Sequence, residues 1–150
     1  MSSAQLLWWS LVSGVASLLL ATAGMAEDKV APAPSTGARA ALETKNGMAV
    51  FYDRSLNGTK TSDGGRLDNA KMTAAHSTYP FGTLIRVTRV KNGKSVEVRV
   101  TDHLPATKTN RKLGIIIDLT RTAASKLDMI NAGRSKVTLE VLEWGTKKQQ

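Results

Sequence analysis

From Gly47 onward the chain alternates apolar and polar residues in short runs, the two-residue period of half-buried strands. Met48, Val50 and Tyr52 alternate with Ala49 and Phe51 in a first strand. Residues 84–90 and 95–101 form two β-branched runs joined through Asn92-Gly93, a pair that predicts a tight hairpin. In the second run Val96, Val98 and Val100 take one face and Glu97 and Arg99 the other. Three isoleucines at 115–117 predict a strand buried on both faces. Thr120 then caps a short helix to about Leu127, with Ala123, Ala124 and Leu127 turned inward, and Ala132-Gly133 ends that pattern. Val137, Leu139 and Val141 give a closing strand. About six strands with one or two short helices, and no apolar face left open, predict an all-β fold closed into a barrel.

Outside this region the pattern changes. Residues 6–23 are apolar with small polar interruptions such as Ser10 and Ser13, and no charged side chain precedes Glu27. Gly24-Met25-Ala26 supplies a small-x-small cleavage pattern, so residues 1–26 read as an export signal cut after Ala26; an uncleaved anchor is the alternative. Residues 27–46, with Pro32, Pro34 and Gly37, read as a flexible linker, residues 47–143 as the domain, and residues 144–150 as a disordered, charged tail. The formal charge of +9 therefore lies wholly on the exported part and favours acidic partners. With no cysteine the chain has neither a disulfide, nor a thiol nucleophile, nor a lipid-modified N-terminal Cys.

The candidate chemistry lies at strand ends. Residues 53–71 form a long polar, glycine-rich connection, the kind of loop that binds something in a domain this small, although it also reads as an ordinary surface connection. It carries Asp68; His76 and Asp102 fall at the ends of runs that follow. Each has a plainer reading: Asp68 as a loop-ordering residue, His76 as a buried histidine fixing the 73–77 backbone, Asp102 as a turn acid after a strand. Asp118 is well explained by capping before a helix and is the weakest of the acids. Tyr52 and Tyr79 are the aromatic residues best suited to a groove, while Arg54, Lys60, Arg66, Lys71, Arg86 and Arg89 offer a basic surface. No ligand-spaced His or acidic motif predicts a metal, and no glycine-rich phosphate loop predicts a cofactor.

The ordered motifs Met48-Ala-Val-Phe-Tyr52, Thr61-Ser-Asp-Gly64, Leu67-Asp68, Met72-Thr-Ala-Ala-His76, Pro80-Phe-Gly-Thr83, Asn92-Gly-Lys-Ser95, Val98-Arg-Val-Thr-Asp102 and Ile117-Asp-Leu-Thr120 together resemble the rare lipoprotein A family. The resemblance covers residues 47–142. It implies a six-stranded double-psi β-barrel related to barwin and expansin domains, exported, and acting on peptidoglycan as a lytic transglycosylase that prefers peptide-poor strands. On that resemblance Asp102, Asp68 and His76 match the acidic and histidine positions of the groove, and Thr61 and Thr101 join Tyr52 and Tyr79 as substrate-binding positions. Two departures fall at the site. Gly64-Gly65 stands where the family has Gly-Glu, and Thr101-Asp-His-Leu-Pro105 replaces Asn-Asp-Arg-Gly-Pro.

A lytic transglycosylase needs one carboxyl group. It protonates the leaving oxygen, then takes a proton from the sugar's own hydroxyl as an anhydro ring closes. Asp102, leaving a buried strand beside Asp68, is expected to be that acid, its pKa raised by desolvation and by the neighbouring charge. The expected partners are peptidoglycan glycan strands and, beyond them, cell-division or wall-synthesis proteins, with the protein monomeric. A wall-binding or wall-loosening protein that cuts no bond is the second hypothesis. A basic nucleic-acid-binding barrel is the third, and the export signal opposes it.

Overall fold

A computed structural model of the chain describes residues 39–149. The expected export signal with its cleavage after Ala26, and most of the expected 27–46 linker, fall outside the described residues.

Six strands close into one barrel: β1 (Glu43–Phe51), β2 (Thr73–His76), β3 (Leu84–Arg89), β4 (Ser95–His103), β5 (Ile115–Leu119) and β6 (Ser135–Glu143). Around the barrel the order is β1-β5-β2-β4-β3-β6. The β1/β5 and β2/β4 pairs are parallel and the other four antiparallel, the mixed pairing of a double-psi β-barrel. The Asn92-Gly93 turn joins β3 to β4 as the alternation predicts, Thr88 pairing with Ser95 and Gly93 adopting φ 70°. Two short helices, α1 (Lys108–Leu113) and α2 (Arg121–Lys126), sit on either side of β5.

The main core fills the barrel with Ile85, Val87, Val98, Val100, Ile117, Leu119, Leu139 and Val141, and Ala123 and Ala124 of α2 close it together with Leu127 just past the helix. A second, smaller cluster of Tyr52, Leu67, Ala75 and Leu104 lies apart from it. Alternation accounts for both. Ala74 on β2 belongs to the main core and its neighbour Ala75 to the smaller cluster, because successive side chains leave opposite faces of a strand.

Several details differ from the sequence reading. The first strand begins at Glu43, not at 47, because the polar Glu43, Thr44, Lys45 and Asn46 pair with β6 through backbone groups that need no apolar side chain. Ile115 and Ile116 are only half-buried; the strand has one core face, which Ile117 and Leu119 occupy. Thr120 does not cap α2 with its side chain; its hydroxyl donates to the Lys71 carbonyl at 2.6 Å. Arg89 is no surface cation: it is 6% exposed, and its guanidinium donates to Ser135 Oγ and to the carbonyls of Leu127 and Asp128. Residues 144–149 of the expected disordered tail fold back on the barrel. Phe81 N donates to the Lys147 carbonyl at 2.7 Å, and Gly145 N to Thr83 Oγ1 at 3.0 Å.

Candidate active site

Strand register assembles the site. Asp118 on β5 and Asp102 on β4 both pair with Ala75 on β2, which lies between them. One row across the sheet therefore reads Asp118, Ala75, Asp102, with the acids two strand spacings apart, about 9.6 Å between backbones. Paired residues send their side chains to the same face, so the two acids flank the single methyl group of Ala75. Tyr52, just past the end of β1, is held by its N–H on the Leu119 carbonyl at 2.9 Å. Its ring packs with Ala75, Leu67 and Leu104 to floor the pair.

The two acids sit in different environments. Asp102 Oδ2 accepts the Tyr52 hydroxyl at 3.0 Å. Its Oδ1 accepts the Ser62 N–H at 2.9 Å, the Ser62 hydroxyl at 2.6 Å and its neighbour His103 N–H at 2.9 Å. Four donors thus converge on one carboxylate, the arrangement that suits the anion. Asp118 has no such shell: its Oδ1 is buried without a hydrogen-bond partner among the described residues. Burial first, and then the negative charge of Asp102, push the Asp118 carboxyl up to about 7. The same burial, with both acids nearby, drives the Tyr52 phenol well above its usual range, so the hydroxyl keeps its proton and donates it.

The 53–71 connection supplies the Asp102 clamp. Leu67 and Gly58 pair through their backbones, as do Thr59 and Leu67, and an isolated bridge joins Lys60 to Arg66. This makes a miniature hairpin with its tip at residues 61–65. The tip is pinned by Asp63 N donating to the Thr101 carbonyl at 3.1 Å, which carries Ser62 onto Asp102. Within the tip Asp63 Oδ1 accepts from the buried Thr61 hydroxyl at 2.6 Å and from Gly65 N at 3.0 Å. A Cβ on Gly65 would stand 3.2 Å from that same oxygen, so the glycine at this position accompanies an aspartate folded back on its own turn.

The expected trio of Asp68, His76 and Asp102 is not what gathers here. Asp68 serves its own loop: Oδ1 accepts from Ala70 N at 2.9 Å, Oδ2 lies 3.9 Å from Lys71, and the side chain is 43% exposed. The carboxyl coupled to Asp102 is that of Asp118, which the sequence reading ranked last. His76 pairs with Ile117 and, by alternation, leaves β2 on the face opposite Ala75. Its Nδ1 accepts from Thr78 N at 3.2 Å and Tyr79 N at 3.1 Å, fixing the turn after β2. Burial, helped by the charge of Lys45, lowers its pKa to about 4, so the ring is neutral with its proton on Nε2. Tyr79 is not an open sugar platform. One face stacks on His76 at 3.7 Å, Trp144 meets it edge-on at 5.3 Å, and its hydroxyl donates to Glu43 at 2.6 Å. Tyr52 reaches the site through its hydroxyl, with its ring buried, and Thr101 contributes through its backbone carbonyl.

One sequence signal for Asp118 existed: an acid at the end of an isoleucine run that reads as buried is itself a candidate for burial. Among the described residues no group of three or more His, Asp or Glu side chains is disposed to hold a metal ion.

Residues 44–139 match the protein family described as lytic transglycolase. The chain is 42% identical over 104 residues to the endolytic peptidoglycan transglycosylase RlpA of Campylobacter jejuni, covering 69% of this chain and 36% of that protein. It is 45% identical over 97 residues to the endolytic peptidoglycan transglycosylase RlpA of Neisseria meningitidis, covering 65% and 38%. The chain thus spans well under half the length of the curated relatives it matches. Among solved structures the fold is similar to the Streptomyces papain inhibitor, with a TM-score of 0.53 at 20% identity over 69% of this chain and 97% of that one. It is also similar to an expansin from Clavibacter michiganensis, with a TM-score of 0.51 at 23% identity over 69% and 52%.

Proposed function

The chain belongs to the lytic transglycolase family, and from that premise we propose that it cleaves peptidoglycan glycan strands outside the cytoplasm, with Asp118 as the single acid and base. The observation that carries this reading is the unequal pair: one carboxylate saturated with donors, and beside it a carboxyl that burial and that charge keep protonated near neutrality.

Asp118 first gives its proton to the glycosidic oxygen as the bond to the anomeric carbon breaks. Asp102, fixed by Tyr52 and Ser62, faces the positive charge that develops on the sugar; held before the reaction begins, it need not reorganise to stabilise that charge. The Asp118 carboxylate then takes the proton of the sugar's own 6-hydroxyl, whose oxygen closes on the anomeric carbon. The leaving strand gains one proton, Asp118 regains one, and the product ends in an anhydromuramyl residue without water being consumed. His76 acts as a positioning residue: it holds the turn whose backbone carbonyl receives Leu104 N at 3.3 Å, and Leu104 floors the pair.

Incubation of the full chain with purified, peptide-free glycan strands tests the reading. Anhydromuramyl-ended fragments are expected. Strands that are bound but remain intact would instead support a wall-binding protein, the reading that the glycine at position 65, in place of a carboxylate, favours.

A further inference from the structure

Residues 144–149 fold back along the barrel, and Lys147 and Lys148 within them form one wall of a cleft beside the Asp102 clamp. Gly145 makes the turn possible: a Cβ there would stand 2.2 Å from the Phe81 carbonyl oxygen, so only glycine lets the chain cross this close to the barrel. Lys147 then bridges to Phe81. Gln149 locks the end of the strap, its side-chain amide donating to the His76 carbonyl at 2.8 Å and the Tyr79 carbonyl at 2.6 Å, and its oxygen meeting His103 Nδ1 at 2.6 Å. The strap therefore has a fixed course that carries Lys147 and Lys148 past the site.

Between the strap and the 61–65 tip lies a cleft of about 570 Å³ lined by Ser62, Asp63, Phe81, His103, Lys147 and Lys148. Ser62 and His103 are the residues whose N–H groups hold Asp102 Oδ1, so the cleft borders the clamp on Asp102. Its charges are unbalanced. Both lysines are exposed, and neither is paired with a carboxylate among the described residues. The one acid in the lining, Asp63, already accepts from Thr61 and Gly65. Among the described residues, then, two amines line the cleft against a single carboxylate that is already engaged, a wall suited to an anion.

We propose that this cleft is a subsite for a carboxylate carried by the glycan strand next to the scissile bond, with Lys147 and Lys148 as its cationic wall. The subsite rests on the reading of the chain as a protein that acts on glycan strands, and it deepens that reading by naming the substituent recognised. Muramic residues offer such a group as the free lactyl carboxylate of a bare strand, or as the terminal carboxylate of a stem peptide.

The test compares the full chain with its Lys147→Gln/Lys148→Gln double variant on bare strands, on bare strands whose lactyl carboxylates have been methyl-esterified, and on peptide-bearing strands. Two readouts are taken, KM for release of anhydromuramyl ends and cosedimentation with insoluble strands. The double variant is expected to raise KM and weaken cosedimentation about fivefold on carboxylate-bearing strands, the scale of a partly exposed charge contact, with no change on esterified bare strands. Loss confined to bare strands assigns the lactyl group, and loss confined to peptide-bearing strands assigns the peptide. A control variant, Lys91→Gln/Arg134→Gln, removes the same charge beyond the far end of β4 and is expected to change nothing. Equal loss in the control, or a double variant that matches wild type on every strand, overturns the subsite. Absence of anhydromuramyl ends from every reaction would overturn the cleavage reading alone, since cosedimentation reports the subsite whether or not bonds are cut.

Discussion

The two faces of β2 put adjacent residues to opposite uses. Ala75 faces the acid pair, where its lack of bulk lets Asp102 and Asp118 approach. His76 faces the other way, with both backbone N–H groups of its turn satisfied by Nδ1 and its ring covered by Tyr79. Both regions hold a titratable group out of water. On the His76 side burial and a nearby lysine remove a positive charge, and on the Ala75 side burial and a nearby carboxylate remove a negative one. A perturbed pKa by itself therefore does not mark a site. What distinguishes the Asp118 side is a second, donor-saturated charge facing the perturbed group.

Four outcomes would break or sharpen this contrast. The largest effect is expected for Asp118→Asn, which keeps the shape but cannot carry the proton: release of anhydromuramyl ends should fall about 10³-fold, while His76→Gln should spare a far larger share of it. Next, His76→Ala should destabilise the fold by about 3 kcal/mol in denaturant titrations, because it opens a cavity beneath Tyr79 and leaves the buried Tyr79 N–H unpaired.

Stability should then respond to pH in opposite senses on the two faces. The His76 pKa is lowered in the fold to about 4 from 6.5, so its contribution is complete above 6.5 and is lost as pH falls through about 4. The Asp118 pKa is raised to about 7 from 3.8, so its contribution is complete below 3.8 and is lost as pH rises through about 7. Between pH 4 and 6.5 the two slopes offset each other. Asp118→Asn should uncover the rising slope due to His76 and stabilise the protein at pH 7.5 by about 2 kcal/mol, read from denaturant midpoints. The smallest effect is expected for Tyr52→Phe, which removes one of four donors to Asp102: cleavage should fall about tenfold, with little change in stability.

The barrel was largely legible in the sequence because its signals are local. The Asn92-Gly93 turn, the alternation of Val96, Val98 and Val100, and the run Val137, Leu139, Val141 each state a strand and its inward face without reference to the rest of the chain. The start of β1 was not legible, since Glu43 to Asn46 pair through their backbone and carry no apolar pattern. Arg89 looked like a surface cation because the carbonyls that satisfy it, at Leu127 and Asp128, come from the turn after α2, distant in sequence. At the site, the strand exit singled out Asp102, and length and composition singled out the 53–71 connection, whose Ser62 reaches Asp102. The partner of Asp102 could not. Asp68 and Asp118 are both plausible neighbours in sequence terms, and only the register that sets Ala75 against both Asp102 and Asp118 decides between them. Register is a long-range property, and a single residue of slip would turn either acid to the other face.

The central claim is that Asp118 remains a proton donor at neutral pH because its half-buried carboxyl, one oxygen shut off from solvent, lies beside the charged Asp102. Its side-chain carboxyl ¹³C shift, followed through a pH titration of wild type and of Asp102→Asn, measures this directly. A midpoint near 7 in wild type that moves down toward the ordinary carboxyl range in Asp102→Asn is the expected result. A wild-type midpoint near 4, or one unmoved by removing the Asp102 charge, would contradict the account.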